Sequence, residues 1–108
     1  MKRIDVRGVP VLKMAMAADT KAQALKVLEE AAELVEAVKR VRRARGRLCP
    51  ADPVEQAIIC KNIGDAIDEA ADVITATVGL LFAMGCSIDD IAAAMQECAE
   101  RQERRGRE

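Results

Sequence analysis

Apolar residues recur every three or four positions along most of the chain, a spacing that matches one face of an α-helix. The first such run extends from about residue 20 to about residue 45. Its apolar positions are Ala24, Val27, Ala31, Leu34, Val38 and Val41, with Leu25, Leu28, Ala32 and Val35 beside them. We therefore predict a long first helix that is buried on more than half of its circumference, capped by Asp19 or Thr20 and ended by Gly46.

A second helical pattern extends from residue 54 to residue 84 and is weakened in its first half. Asn62 and Gly64 both lower the stability of a helix relative to alanine. We therefore expect either a short helix followed by a long one, or a single helix with a kink. The second half, from Asp65 onward, is almost wholly apolar after Asp72, and its small residues would let another helix pack closely.

Residues that favour helix ends separate these patterns. Asp52 followed by Pro53 is typical of a helix start, and Gly85 is typical of the residue just past a helix end. Ser87, with two acidic residues behind it, is the expected N-cap of a last helix. That helix would end near residue 105, and its inward positions would be Ile88, Ile91, Ala92, Met95 and Cys98.

These elements predict an all-α fold, a small bundle of three to four helices in a single domain. The domain would cover residues 19–105, between an irregular N-terminal arm (1–18) and a short tail (106–108). The first helix should pack antiparallel on the helix from about 65 to 84, and the last helix should close the core. The positions expected to be buried are Leu25, Leu28, Leu34, Val38, Ile67, Val73, Ile74, Leu81 and Ile91.

Composition points to association between chains. Of the 108 residues, 51% are hydrophobic but only 1% are aromatic, so the core must be built from alanine and aliphatic side chains. Alanine buries little area, and a domain of this size already buries a modest share of its surface. We therefore expect a homodimer or a dimer of dimers.

Charge and cysteine content indicate which kinds of partner and which cellular compartment to expect. The formal net charge is -1, and basic clusters at 39–47 and 101–107 fall where cations complement a helix C-terminus, so we expect no nucleic-acid partner. Four scattered cysteines and the absence of histidine argue against a zinc site. Free, buried thiols fit a cytoplasmic protein, and we predict neither a signal peptide nor a membrane span.

Two acidic motifs interrupt the apolar helices. Glu30 and Glu33 lie about 60° apart on one face of the first helix, and Glu69 and Asp72 repeat this arrangement on the second. With the two faces opposed, four carboxylates would converge on one point and would need a cation between them. Mg²⁺ prefers hard oxygen ligands and keeps room for water and phosphate, so Mg²⁺, or Mn²⁺ in its place, is the expected cofactor.

Three segments together resemble a known enzyme family. Glu30-Ala31-Ala32-Glu33, Glu69-Ala70-Ala71-Asp72 and the helix start Gly85-Cys86-Ser87-Ile88-Asp89-Asp90 are similar to motifs of the all-α nucleotide pyrophosphohydrolases typified by MazG. The resemblance implies that a (d)NTP is cleaved to the (d)NMP and pyrophosphate. The magnesium-binding and catalytic residues that it implies are Glu30, Glu33, Glu69 and Asp72. Candidate contacts to the substrate phosphates are Lys26, Lys61 and Arg101.

Two other functions stay open. The segments 26–33 and 69–73 are also similar to phosphoribosyl-ATP pyrophosphohydrolase of histidine biosynthesis, which usually has a Ser-Tyr-Thr segment and a His after its second motif. This chain contains neither Tyr nor His, which places that enzyme second. The alternative of a different class is a non-enzymatic helical interaction or regulatory module, because acidic motifs on helices are most often solvated faces. Magnesium-dependent nucleotide binding distinguishes the enzymes from the module.

Overall fold

The computed structural model describes residues 20–106, which form three helices connected by short loops. The helices are α1 (Thr20–Arg47), α2 (Pro53–Ala83) and α3 (Ile88–Arg104), and the described range contains no strand. The all-α prediction is confirmed. The predicted N-terminal arm, the alternative cap Asp19 and the last two residues of the tail lie outside the described residues.

α1 and α2 form an antiparallel hairpin that contains the core. The connection between them spans residues 48–52, which is too short for any arrangement other than neighbouring helices. The residues buried between the helices are mostly small: Ala37, Val41, Ala44, Ile59, Ala76 and Gly79. Because small side chains line the contact, the two backbones can approach closely. Side chains on either side of the contact are thereby brought together.

The helix ends follow the predicted signals in all but one place. The carboxylate of Asp52 accepts hydrogen bonds from the backbone N–H groups of Val54 (2.9 Å) and Glu55 (3.4 Å), as an N-cap does. The prediction that Gly46 ends α1 is wrong, since the helix continues to Arg47. A glycine lowers helix stability but does not interrupt the backbone hydrogen bonds, so α1 extends through it.

α2 is one helix through the segment where a break was one of two expectations. Asn62 and Gly64 lie inside it, and the alternative of a short helix followed by a long one is wrong. α2 ends in a Schellman motif: the N–H of Gly85 donates to the carbonyl of Phe82, and the N–H of Cys86 donates to the carbonyl of Leu81. Gly85 has φ of 88°, the left-handed conformation that this motif requires.

α3 begins as predicted but does not close the core. Ser87 and Asp90 form a capping box, in which each side chain accepts the other's backbone N–H, at 3.1 and 2.8 Å. The hydrogen bond that the Asp90 carboxylate accepts from the backbone N–H of Ser87, followed by one from the Ser87 side chain, lowers the pKa of Asp90. However, no residue of α3 is buried, and the helix makes at most a marginal contact with the hairpin. Its apolar residues Ile88 and Met95 are exposed.

The predicted set of buried residues is wrong for the single chain. Five of the nine are exposed: Leu25, Leu28, Val38, Ile67 and Ile74. The other four are half-buried: Leu34, Val73, Leu81 and Ile91. The physical reason is that α1 and α2 meet through a narrow stripe of small residues, so a second apolar stripe on each helix has no partner among residues 20–106.

The cysteines are free, as expected, but are not buried. Cys49 and Cys60 are exposed, and Cys86 and Cys98 are half-buried. The prediction of buried thiols is therefore wrong, again because the core between the helices is narrow. Among residues 20–106, the apolar stretches are too short or too interrupted by charge for any helix to span a membrane.

Candidate functional site

The hairpin brings three acidic side chains to one point. Glu30 and Glu33 lie one turn apart on α1, and Glu69 lies on the neighbouring stretch of α2. One carboxylate oxygen from each of the three lies within 4.8 Å of the other two. The antiparallel arrangement explains this convergence, because residues 30 and 69 are about equally far along the chain from the loop that joins the helices.

Two oxygen atoms of this three-glutamate cluster are buried and have no hydrogen-bond partner among the residues that the structure describes. They are Oε2 of Glu30 and Oε2 of Glu69. The other carboxylate oxygen of Glu30 accepts a hydrogen bond from Lys26 Nζ at 3.3 Å, on the outer edge of the cluster. A buried polar atom without a partner costs about 1–3 kcal/mol, so the cluster as it stands is short of positive charge or donors.

The pKa of Glu33 is raised above its ordinary value. The largest cause is the negative charge of Glu30, followed by that of Glu69 and then by partial desolvation. Hydrogen bonds from a protonated Glu33 to the same two neighbours add to the rise in its pKa. The carboxylates thus repel one another, and two of their oxygens lack hydrogen-bond partners. A cation among the three carboxylates would relieve both effects.

An open groove of about 260 Å³ lies beside the cluster. Its lining residues are Ala32, Glu33, Glu36, Arg40 and Glu69. Within the described part of the chain, the guanidinium of Arg40 forms no hydrogen bond or ion pair, since Glu36 pairs instead with Lys39 at 3.2 Å. The sequence analysis missed Arg40 because it lies in a basic cluster attributed to the helix end. The missed signal is its position, seven residues after Glu33 and hence on the same helix face.

Asp72 is not part of the cluster. It lies one turn beyond Glu69 on α2, is exposed, and does not belong to the group whose carboxylate oxygens lie within 4.8 Å of one another. Its assignment as a fourth metal ligand stays a prediction. The acidic faces of the two helices therefore meet through three residues in this chain, whereas the sequence predicted four.

The three cations predicted to contact phosphate occupy different positions. Lys26 pairs with Glu30 at the edge of the cluster. Lys61 lies two turns from Glu69 on α2 and pairs with Asp65 at 3.2 Å. Arg101 is exposed near the end of α3, the helix that stands apart from the hairpin. Only Lys26 thus lies beside the three-glutamate cluster, and its role toward phosphate stays a prediction.

The donor set fits a hard divalent cation. Three carboxylates supply oxygen ligands alone, which suit Mg²⁺ or Mn²⁺ better than a metal that prefers nitrogen or sulfur. Within the described range, the two buried oxygens of Glu30 and Glu69 have no hydrogen-bond partner. The open groove leaves room for water and phosphate oxygens to complete a coordination shell.

Comparison with known proteins gives one match. A family model described as phosphoribosyl-ATP pyrophosphohydrolase matches residues 13–99, which include the three-glutamate cluster and all of α2. No curated protein and no solved structure matches the chain. The match indicates a nucleotide pyrophosphohydrolase. The three-helix fold agrees with the match, and the matched range contains all three glutamates of the cluster. The chain belongs to the phosphoribosyl-ATP pyrophosphohydrolase family, within the superfamily of MazG-like all-α nucleoside triphosphate pyrophosphohydrolases.

Proposed function

We propose that this protein hydrolyses a nucleotide carrying a 5′-triphosphate between its α and β phosphates, releasing the monophosphate and pyrophosphate in a magnesium-dependent reaction. The observation that carries the proposal is the cluster of Glu30, Glu33 and Glu69, in which two buried oxygens have no partner. A solvated acidic face would not leave carboxylate oxygens buried and unpaired.

The three glutamates, with Asp72 as the fourth expected ligand, would hold the metal ion. A bound Mg²⁺ would offset the charge of the substrate phosphates and of the leaving pyrophosphate. Glu33 is the most exposed of the three and lines the groove. We assign to it the orientation of the attacking water, because its carboxylate can meet solvent while its neighbours are turned inward.

Arg40 is our first choice for a contact to the substrate phosphates. It lines the same groove as Glu33 and Glu69. A guanidinium binds phosphate oxygens in a bidentate manner, and this one has no ion pair to give up among the described residues. Lys26 and Lys61 would first have to leave Glu30 and Asp65, so we place them second. Arg101 would have to reach the groove from α3.

Two substrates compete. Phosphoribosyl-ATP is favoured by the family whose model matches the chain. A canonical (d)NTP is favoured by the absence of Tyr and His, which the phosphoribosyl-ATP enzymes usually have. Because of the family match we place phosphoribosyl-ATP first, whereas the motifs alone placed it second. Both substrates present the same triphosphate to the site and differ in what surrounds it.

The test is to incubate the full chain with phosphoribosyl-ATP and with each canonical (d)NTP, with Mg²⁺ or with a chelator, and to identify both products. Monophosphate and pyrophosphate formed only with Mg²⁺ support the proposal, and the substrate with the highest kcat/KM decides between the two candidates. Orthophosphate and a diphosphate would show that a different bond is cleaved. If the chain shows no turnover and no magnesium-dependent nucleotide binding, the interaction module is favoured.

The compartment that we propose is the cytoplasm. The four cysteines are free, and two of them are exposed to solvent. Exposed thiols persist in reduced form where glutathione and thioredoxin maintain a reducing environment. Free nucleotides are also found in the cytoplasm, so the free thiols and the proposed reaction point to the same compartment.

A further inference from the structure

A row of arginines continues the α1 wall of the groove beyond Arg40. Arg43 and Arg47 follow Arg40 at intervals of three and four residues, so the three positions lie within about 60° of one another around α1. Glu33 and Arg40, which both line the groove, lie on this side of the helix. We call Arg40, Arg43 and Arg47 the arginine row. It extends from the groove toward the loop that joins α1 to α2.

The arginine row is exposed and has no negative partner among residues 20–106. Like charges three or four residues apart on a helix repel and destabilise it. The dipole of α1 favours the cations of its last turn, Arg45 and Arg47, but this effect falls off within that turn and does not explain Arg40 and Arg43. An anion bound along the row would offset the repulsion.

The α2 wall of the groove continues in the same direction. Ile58 precedes Glu69 by eleven residues, which is close to three turns, so it lies within about 20° of Glu69 around α2. Because the helices are antiparallel, Ile58 lies nearer the loop than Glu69, as the arginine row lies nearer the loop than Glu33. The side chain of Ile58 is exposed. The two walls of the groove therefore continue toward the loop, one basic and the other aliphatic.

Charge divides this side of the hairpin into an acidic half and a basic half. The acidic half contains the three-glutamate cluster, and the basic half contains the arginine row. Along the axis of α1, Arg43 lies about 15 Å from Glu33 and Arg47 about 21 Å from it. A nucleoside triphosphate carries all of its charge at one end. With that end at the acidic half, it presents no anion to Arg43 and Arg47, whereas a nucleotide with a second, remote phosphate does.

We propose that Arg43 and Arg47 form a second phosphate subsite, which receives a phosphate group that the substrate carries at the end remote from its triphosphate. This inference rests on the proposed function and names the class of substrate. A guanidinium binds two phosphate oxygens at once, and two guanidinium groups one helical turn apart can share one phosphate. Ile58 supplies apolar surface for the nucleoside between the two phosphates.

Two kinds of nucleotide present this chemistry. In phosphoribosyl-ATP the second phosphate is attached through a ribose to the base. In a 3′-phosphorylated nucleoside triphosphate it is attached to the sugar. Both differ from a canonical (d)NTP by the remote phosphate, so the subsite would distinguish either of them from ATP.

The test compares the full chain with two variants that each lack two arginines. Arg43→Gln combined with Arg47→Gln removes the subsite. Arg42→Gln combined with Arg45→Gln is the matched control, because it removes the same charge and also includes one residue of the last turn. Arg42 and Arg45 lie at least about 140° from Arg40 around α1, away from the groove. Circular dichroism verifies that each variant is helical.

Turnover is measured with ATP, phosphoribosyl-ATP and adenosine 3′-phosphate 5′-triphosphate, each with Mg²⁺. The wild type should have a higher kcat/KM for one of the two substrates with a second phosphate than for ATP, and that substrate identifies the source. For it, the variant without the subsite should lose about 10–100-fold in kcat/KM, because charged hydrogen bonds to the remote phosphate are lost. Its kcat/KM for ATP should stay nearly unchanged, and the control variant should retain the wild-type preference.

Isothermal titration calorimetry measures the same preference with ligands that are not hydrolysed: phosphoribosyl-AMP, adenosine 3′,5′-bisphosphate and AMP. The wild type should bind one of the two bisphosphorylated ligands at least about tenfold more tightly than AMP, and the variant without the subsite should bind it like AMP. A wild type without this preference, or an equal loss in the two variants, would overturn the subsite and leave the proposed function standing. Absence of turnover with every nucleotide would overturn the proposed function, and the subsite with it.

Discussion

At the scale of single residues, the spacing of acids predicted the place of the site but not all of its members. Glu30 and Glu33 are one turn apart and must share a face of α1, and the structure brings Glu69 to them. The sequence could not show that Asp72 would stay outside the cluster, because that depends on the rotation of α2 against α1. The spacing of seven residues could have placed Arg40 on the same face of α1 as Glu33, but it could not show that a groove forms there against α2.

Glu33 should make stability depend on pH in a characteristic direction. Its pKa is raised in the folded chain, mainly by Glu30, so the folded state binds more protons than the unfolded state between the ordinary and the raised pKa. In the metal-free protein, stability should therefore fall as pH rises from the ordinary carboxylate range through the raised pKa. Urea unfolding in chelator at several pH values measures this.

Glu33→Gln should remove that part of the pH dependence, because glutamine does not titrate and carries no charge for Glu30 and Glu69 to repel. Glu36→Gln is the control, since Glu36 lines the same groove but pairs with Lys39. Added Mg²⁺ should stabilise the wild type most at the higher pH, where all carboxylates are charged. A wild type whose stability rises across this window would contradict the repulsion that we infer.

Loss of one metal ligand should lower both magnesium affinity and turnover. Glu69→Gln keeps the shape of the side chain and removes its charge, so turnover should fall about a hundredfold, equivalent to about 3 kcal/mol of transition-state stabilisation. Asp72→Asn, compared in the same calorimetric titration with Mg²⁺, tests the fourth ligand. If Asp72→Asn binds Mg²⁺ as the wild type does, the metal site consists of the three glutamates.

Arg40→Gln should weaken the hold on the triphosphate. A charged hydrogen bond contributes about 1.5–3 kcal/mol, so kcat/KM should fall about 10–100-fold. The matched control is Arg42→Gln, because Arg42 is equally a member of the basic cluster but points about 200° away around α1. Equal effects of the two substitutions would mean that the basic cluster acts through its overall charge and that Arg40 has no specific contact.

At the scale of helices, capping residues were the most informative part of the sequence. Asp52, Gly85 and Ser87 act by local hydrogen bonds and backbone conformation, and the structure has them where the sequence predicted them. Propensity was less informative. Gly46 and Gly64 lie inside helices because the backbone hydrogen bonds on either side outweigh their low propensity.

The caps of α2 and α3 should have different consequences when removed. Asp52→Ala should lower global stability by about 1 kcal/mol, because α2 forms the core with α1. Ser87→Ala should loosen α3 alone, because α3 makes at most a marginal contact with the hairpin. Amide hydrogen exchange distinguishes local from global opening. A global loss as large for Ser87→Ala as for Asp52→Ala would show that α3 packs against the bundle in solution.

At the scale of the whole molecule, an apolar stripe does not reveal which partner will cover it. Alternating threes and fours predicted that Ile67 and Ile74 would be buried, yet both are exposed in the single chain. The stripes that meet between α1 and α2 are made of smaller residues, including Ala37 and Ala76. The larger residues Ile67 and Ile74 lie exposed on α2, where the homodimer that composition predicts could cover them.

If the predicted homodimer covers these residues, thermal stability must depend on protein concentration. A dimer is favoured by mass action, so its midpoint temperature rises with concentration, whereas the midpoint of a monomer does not move. Circular dichroism melts over about a hundredfold range of concentration should show a rising midpoint for the wild type. Val54→Glu is the control, since Val54 is 70% exposed at the start of α2, and its midpoint should rise as well. The combined Ile67→Glu and Ile74→Glu variant should have a lower midpoint that does not move. Glu69 follows Ile67 by two residues and is rotated from it by about 200° around α2, so Mg²⁺ should still stabilise this variant through the three-glutamate cluster. A concentration-independent midpoint for the wild type would mean that the hairpin is stable alone and that its exposed isoleucines serve some other partner.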